Sequence, residues 1–79
     1  MIEKVVSERI CQLCQKQDMS IYDLANISGM TPSTVYSVIN GKSKNPGIVT
    51  IKKLCDGLDV SIVDFFNCDM FRDLEQEMY

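Results

Sequence analysis

Apolar positions recur along this chain at helical spacing. Val6, Ile10 and Leu13, with Cys14 or Gln17, fall one turn apart and predict a first helix from about Glu3 to Gln17 with one inward stripe. Leu24, Ala25 and Ile27 predict a second helix, and Val35, Val38 and Ile39 a third. Ile48, Ile51, Leu54, Cys55 and Leu58 give a fourth over 48–58, and Ile62, Phe65 and Phe66 a short fifth. In the last twelve residues, CDMFRDLEQEMY, Met70, Phe71, Leu74 and Met78 repeat the spacing among acids, which predicts an additional amphipathic helix. No strand pattern interrupts this series, so the expected fold class is all-α.

The polar punctuation between these stripes is equally informative. Ser20 and Asp23 form an S-x-x-D capping box. Thr31 is an N-cap acceptor, and Pro32 sits at the first helical position, where a missing N–H is no loss. Gly29, read as a left-handed residue, ends the helix before them and lets the chain reverse within three residues, and Gly41 plays the same part at the end of the third helix. The stretch from Ser20 to Gly41, SIYDLANISGMTPSTVYSVING, therefore reads as a helix-turn-helix, with Leu24, Ala25 and Ile27 meeting Val35, Val38 and Ile39 inside the corner. Further on, Gly47 serves as an N-cap, and Gly57 is expected to loosen the last turn of the fourth helix. Ser61 and Asp64 make a second capping box.

On these residues the chain resembles the lambda-type phage repressor and Cro family, also called XRE. The likeness continues through Gly41-Lys-Ser-Lys-Asn-Pro46, Thr50-Ile-Lys-Lys-Leu54, Leu58-Asp-Val-Ser61 and Asp64-Phe-Phe66, and covers roughly residues 5 to 67. It implies a five-helix, lambda-repressor-like DNA-binding domain over residues 1–67, with residues 68–79 as a helical extension. The chain departs from the family in three places. Cys14 and Ile39 stand where relatives often carry an Arg and a Glu, and a buried ion pair exchanged as a pair for apolar groups leaves no stranded charge. Ile21 replaces a Gln that commonly clamps a phosphate. Asp59 falls where relatives have Gly or Asn in the left-handed conformation, so strain is expected there.

Seventy-nine residues allow one domain with a modest core, and the content is that of an ordinary globular chain. No apolar stretch approaches a membrane span, and MIEKVVSERI places Glu where a signal peptide would be basic, so a cytoplasmic location is expected. Cys11, Cys14, Cys55 and Cys68 are then expected as reduced thiols. The C-x-x-C of Cys11 and Cys14 lies mid-helix, histidine is absent, and the other cysteines lack knuckle spacing, so neither a zinc site nor a thioredoxin-type site is expected. No metal, cofactor or catalytic constellation is read from the sequence.

The formal net charge of −3 is unevenly spread. Residues 31–53 carry Lys42, Lys44, Lys52 and Lys53 and no acid, whereas residues 54–79 carry seven acids against Arg72. Such asymmetry fits one face that meets phosphate and a far side that does not.

With Val35, Val38 and Ile39 turned inward, the third helix leaves Pro32, Ser33, Tyr36, Ser37 and Asn40 outward. The family resemblance implies that Pro32, Ser33 and Ser37 occupy the principal base-reading positions, and Tyr36 joins them as an outward candidate. Candidate phosphate contacts are Ser20, Thr31, Asn40, Lys42, Ser43 and Lys44. Serine discriminates bases poorly, so specificity is expected to lean on Tyr36, on apolar contact from Pro32 to a thymine methyl, on water or on DNA shape.

The tail residues Met70, Phe71, Leu74 and Met78 are candidates for a homodimer contact, for packing on the domain itself, or for docking another protein. The sequence thus points to a DNA-binding transcriptional regulator, acting on double-stranded DNA as a homodimer and without enzymatic activity. The competing reading is an antitoxin or adaptor on a repressor-like scaffold, with DNA binding weak or lost.

Overall fold

The computed structural model describes residues 2–42, 45–74 and 76. Among them the chain forms six helices: α1 Ile2–Lys16, α2 Ile21–Ser28, α3 Pro32–Ile39, α4 Ile48–Gly57, α5 Ile62–Phe66 and a single turn, α6, Asp69–Arg72. The caps read from the sequence form. Ser20 Oγ accepts from the Asp23 amide at 3.0 Å, and the Asp23 carboxylate accepts from the Ser20 amide at 3.4 Å. Ser61 Oγ accepts from the Asp64 amide at 3.0 Å.

Three helices close in the same way, with a left-handed residue followed by an amide that reaches back five residues. Asp18 (φ 53), Gly29 (φ 70) and Asp59 (φ 57) supply the turn. The amides of Met19, Met30 and Val60 then donate to the carbonyls of Cys14, Ala25 and Cys55 at 2.9, 2.9 and 3.0 Å. This pattern satisfies carbonyls that would otherwise end the helix unpaired. Asp59 adopts the expected left-handed backbone, and Asp18 adopts it as well.

The core gathers residues from α1 to α5: Val6, Ile10, Leu13 and Cys14 from α1, Leu24 and Ala25 from α2, Val35 and Val38 from α3, Ile51, Leu54 and Cys55 from α4, Leu58 just after it, and Phe65 from α5. Ile39 packs against this cluster, half-buried. Two expected core residues lie outside it. Ile27 is 61 % exposed, because α2 buries the face through Ile21, Leu24, Ala25 and Ser28, from which Ile27 is turned away by about a quarter of a helical turn. Ile48 is 65 % exposed, since it stands in the first turn of α4 on the rim of an open groove shared with Ile2, Pro46 and Phe66.

Gly57 has a different part from the expected loosening. It is buried, and a Cβ on it would lie 2.2 Å from Ser28 Oγ, 3.1 Å from Leu24 Cδ1 and 3.3 Å from Ser28 Cβ. Glycine here is the condition for α2 and α4 to approach so closely.

Side chains of α1, and Gln17 just after it, reach the C-terminal ends of three other helices. Ser7 Oγ donates to the Ile39 carbonyl at 2.6 Å, and Gln17 Nε2 to the Leu58 carbonyl at 2.6 Å. The Arg9 guanidinium donates to the carbonyls of Phe65 (2.8 Å) and Asp64 (2.9 Å), with a third bond to Gln12 Oε1 at 2.7 Å.

The tail folds back on its own domain. Phe71 lies 4.8 Å from Phe66 and 6.0 Å from Phe65 by ring centroid, and Phe65 and Phe66 stack edge to face at 5.0 Å. The helix expected over the tail is limited to one turn in the described residues, Met70 and Leu74 are half-buried, and Met78 lies outside them.

Two stability predictions follow from this packing. Gly57→Ala is expected to destabilise the fold by about 1–3 kcal/mol through overpacking, with part of the loss recovered when Ser28→Ala is added, as read by denaturant unfolding. Arg9→Ala, which leaves two carbonyls at the end of α5 without their charged donor, is expected to lower unfolding free energy by about 2 kcal/mol in the same measurement.

Candidate nucleic-acid interface

The buried side chains of α3 fix which of its residues stand outside. Val35 is fully buried and Val38 nearly so. At 100° per residue, Ser33, Tyr36, Ser37 and Asn40 then project from the opposite side, with Pro32 and Thr34 on its two flanks. Ser33, Thr34 and Asn40 are exposed, Tyr36 is 46 % exposed, and Pro32 and Ser37 are half-buried. Eight residues make α3 about 12 Å long, and the diameter of a helix with its side chains, about 10–12 Å, is what a B-DNA major groove admits.

At the start of α3, Thr31 is the N-cap. Its Oγ1 accepts from the Thr34 amide at 3.4 Å and lies 2.8 Å from Thr34 Oγ1. The sequence reading passed over Thr34, which is exposed. Its place three residues after the cap, on the same helix edge as Thr31, was the available signal. At the other end, Asn40 follows the last turn with its amide donating to the Tyr36 carbonyl at 2.8 Å, and Gly41 adopts φ 73. Lys42 is exposed, while Ser43 and Lys44 lie outside the described residues.

Ser20 is exposed at the N-terminus of α2. Its oxygen accepts from Asp23, which leaves the hydroxyl proton available to a phosphate. The Asp23 carboxylate shares that helix end, however, and its charge opposes an anion there. Lys52 is paired with Asp56 on the surface of α4, and this bond raises its pKa. Its ammonium already has a partner one helical turn away, whereas Lys53 is exposed with no such bond to Asp56.

The four thiols separate into two pairs. Cys14 and Cys55 are buried, and Cys11 and Cys68 are half-buried. Loss of solvation pushes the Cys14 thiol up, with a smaller contribution from Cys11, and loss of solvation does the same to Cys55. Both therefore stay protonated at neutral pH, the wrong state for a nucleophile or a metal ligand. Among the described residues, no group of three or more potential metal ligands converges, and no helix is long and apolar enough to cross a membrane.

Two short helices joined at a left-handed glycine, the second buried on one side and open on the other, define a helix-turn-helix protein. The family model for the Cro/C1-type helix-turn-helix DNA-binding domain matches residues 9–70, and the chain belongs to that family. Neither the curated proteins nor the solved structures contain a match to it.

The cysteine environments give a direct expectation. In the native protein, Cys11 and Cys68 react with a thiol reagent, while Cys14 and Cys55 react only as the domain opens, at a rate that tracks its stability. Because their folded pKa values lie above the unfolded ones, the stability they contribute is complete below the unfolded thiol pKa of about 8.5 and is lost as pH rises through the folded values. Thermal unfolding midpoints should therefore fall at alkaline pH, and fall less when both are replaced by Ala.

Proposed function

We propose that this protein is a sequence-specific transcriptional regulator that occupies an operator by laying α3 in the major groove of double-stranded DNA. Membership of the Cro/C1-type family supports DNA binding at the level of class. The observation that carries the more specific reading is the outer side of α3. Ser33 and Tyr36 are open to solvent on a helix whose other side is locked by Val35 and Val38, so a rigid body presents them together. Pro32 and Ser37 complete the base-facing set. Thr31, Asn40, Lys42 and Ser20 supply the contacts to phosphate, joined from the following sequence by Ser43 and Lys44, and such contacts position the helix without reading sequence. Occupation of the operator represses by excluding polymerase.

Binding to paired half-sites requires two copies. With the Phe71 ring engaged inside the protomer, the aliphatic side chains of Ile48, Val49 and Val63, each at least 65 % exposed, offer a better supported contact between copies than the tail does. Exposed aliphatic side chains suit the competing reading as well, an adaptor that engages another protein, and Asp23 at the start of α2 together with the net acidic charge favours that reading.

Salt dependence separates the two. A regulator's affinity for duplex DNA falls linearly on a log–log plot against salt, with a slope of about −2 to −4 per protomer for a few neutralised phosphates. Lys42→Ala should make that slope shallower by about one, equally for all sequences, while Tyr36→Ala should weaken only the selected duplex. Duplex binding that is negligible at moderate salt sinks the regulator reading in favour of the adaptor.

A further inference from the structure

From Thr31 to Ile39 the chain carries no Arg, Lys, Asn, Gln, Asp or Glu. The side chains that read guanine through two acceptors, or adenine through an acceptor and a donor, are therefore missing from the whole of α3. What the helix presents instead is apolar carbon and short hydroxyls. Pro32 offers a ring, Tyr36 an aromatic side chain that is 46 % exposed, and Thr34 an exposed side chain whose hydroxyl already has one partner. The Thr34 amide and hydroxyl both meet Thr31 Oγ1, at 3.4 and 2.8 Å, so the hydroxyl already holds one partner within the helix end, and the methyl group is what Thr34 adds as an apolar surface. Ser33 and Ser37 add hydroxyls that can donate or accept.

We propose that α3 identifies its site by the methyl groups of the bases: Pro32, Thr34 and Tyr36 take the 5-methyl groups of thymine, while Ser33 and Ser37 tolerate either hydrogen-bonding polarity. This rests on the reading of α3 as the groove-entering helix and names the class of site it selects. Thymine is the one standard base with a group on the major-groove edge that an apolar surface can recognise. The preference is consequently for thymine-rich half-sites, and for 5-methylcytosine over cytosine at the same positions. The discriminating contact is with carbon, and serine does not penalise the exchange of an O4 acceptor for an N4 donor.

The experiment uses the full chain and a duplex recovered from a random pool. Each thymine of the half-site is replaced in turn by deoxyuridine, which removes only the methyl, by 5-methyldeoxycytidine opposite guanine, which keeps the methyl and reverses the hydrogen-bond polarity, and by deoxycytidine opposite guanine as its unmethylated control. At two or more positions deoxyuridine should weaken binding about fourfold, the worth of one methyl-sized group withdrawn from a contact. At those positions 5-methyldeoxycytidine should bind within about twofold of thymine, a loss smaller than that of the missing methyl. Thr34→Ser keeps the hydroxyl that meets Thr31 and removes only the methyl, so it should abolish the thymine–uracil difference at one position.

Equal binding of deoxyuridine and thymidine duplexes at every position overturns the inference and leaves the DNA-binding reading standing. A 5-methyldeoxycytidine duplex that binds as poorly as the cytidine one also overturns it, because hydrogen bonds would then carry the discrimination. If Thr34→Ser leaves the full difference at every position, the assignment to Thr34 is overturned. Failure to recover any duplex with salt-sensitive binding is the distinct result that removes the DNA reading itself, and this inference with it.

Discussion

Everything in this fold depends on how the ends of short helices are satisfied. Helices of five to ten residues are too short to stand alone in water, and α2 to α5 are all of that length. None has a basic residue in its last turn to answer its own exposed carbonyls. The supply comes from α1, the longest element, and the residue just after it: Ser7, Arg9 and Gln17 donate to carbonyls at the ends of α3, α5 and α4. Hydrophobic burial is indifferent to direction and would allow these helices to slide. A hydrogen bond to a particular carbonyl does not, so α1 fixes where each of three helices stops relative to the others. The close approach of α2 and α4 at Gly57 adds a steric constraint of the same kind, and between them the helix-turn-helix is held at both its members.

The outward side of α3 inherits its definition from this arrangement. Its chemistry is neutral, so long-range attraction to a polyanion must come from the flanks while the bulk of the chain is acidic. Lys42 is exposed and Lys53 lies outside the Lys52–Asp56 pair, whereas the Asp23 carboxylate sits at the N-terminus of α2, where an anion would otherwise be welcome. Positioning and reading are thus assigned to different residues, with little charge to spare for the first.

How much of this was legible beforehand depended on sequence distance. The capping box at Ser20, the N-cap half of the one expected at Ser61, the left-handed Gly29 and the helical period were all readable because each is decided within a few residues. The same period correctly turned Ser33, Tyr36 and Asn40 outward. It failed at Ile27 and Ile48, since period names a stripe but does not say which neighbour covers it or where that neighbour ends. Gly57 was misread for a related reason: its partner Ser28 lies on another helix, and glycine looks the same whether it loosens a turn or admits a close contact. The ties from Ser7, Arg9 and Gln17 span 32 to 56 positions, and no local pattern announces them. Thr34 is the exception, since its signal is local: it stands three residues after the N-cap Thr31, on the same helix edge.

The matched family region ends at residue 70 and begins at residue 9, and the fold is stitched from just outside both margins. Ser7 precedes the first margin and holds the last carbonyl of α3; Phe71 follows the second and closes the ring cluster with Phe65 and Phe66. A fragment trimmed to the matched span would keep every recognisable motif, yet uncover two phenylalanines and release the far end of the presenting helix. The packed unit is therefore set by contacts, and it is wider than the signature by which the chain is recognised.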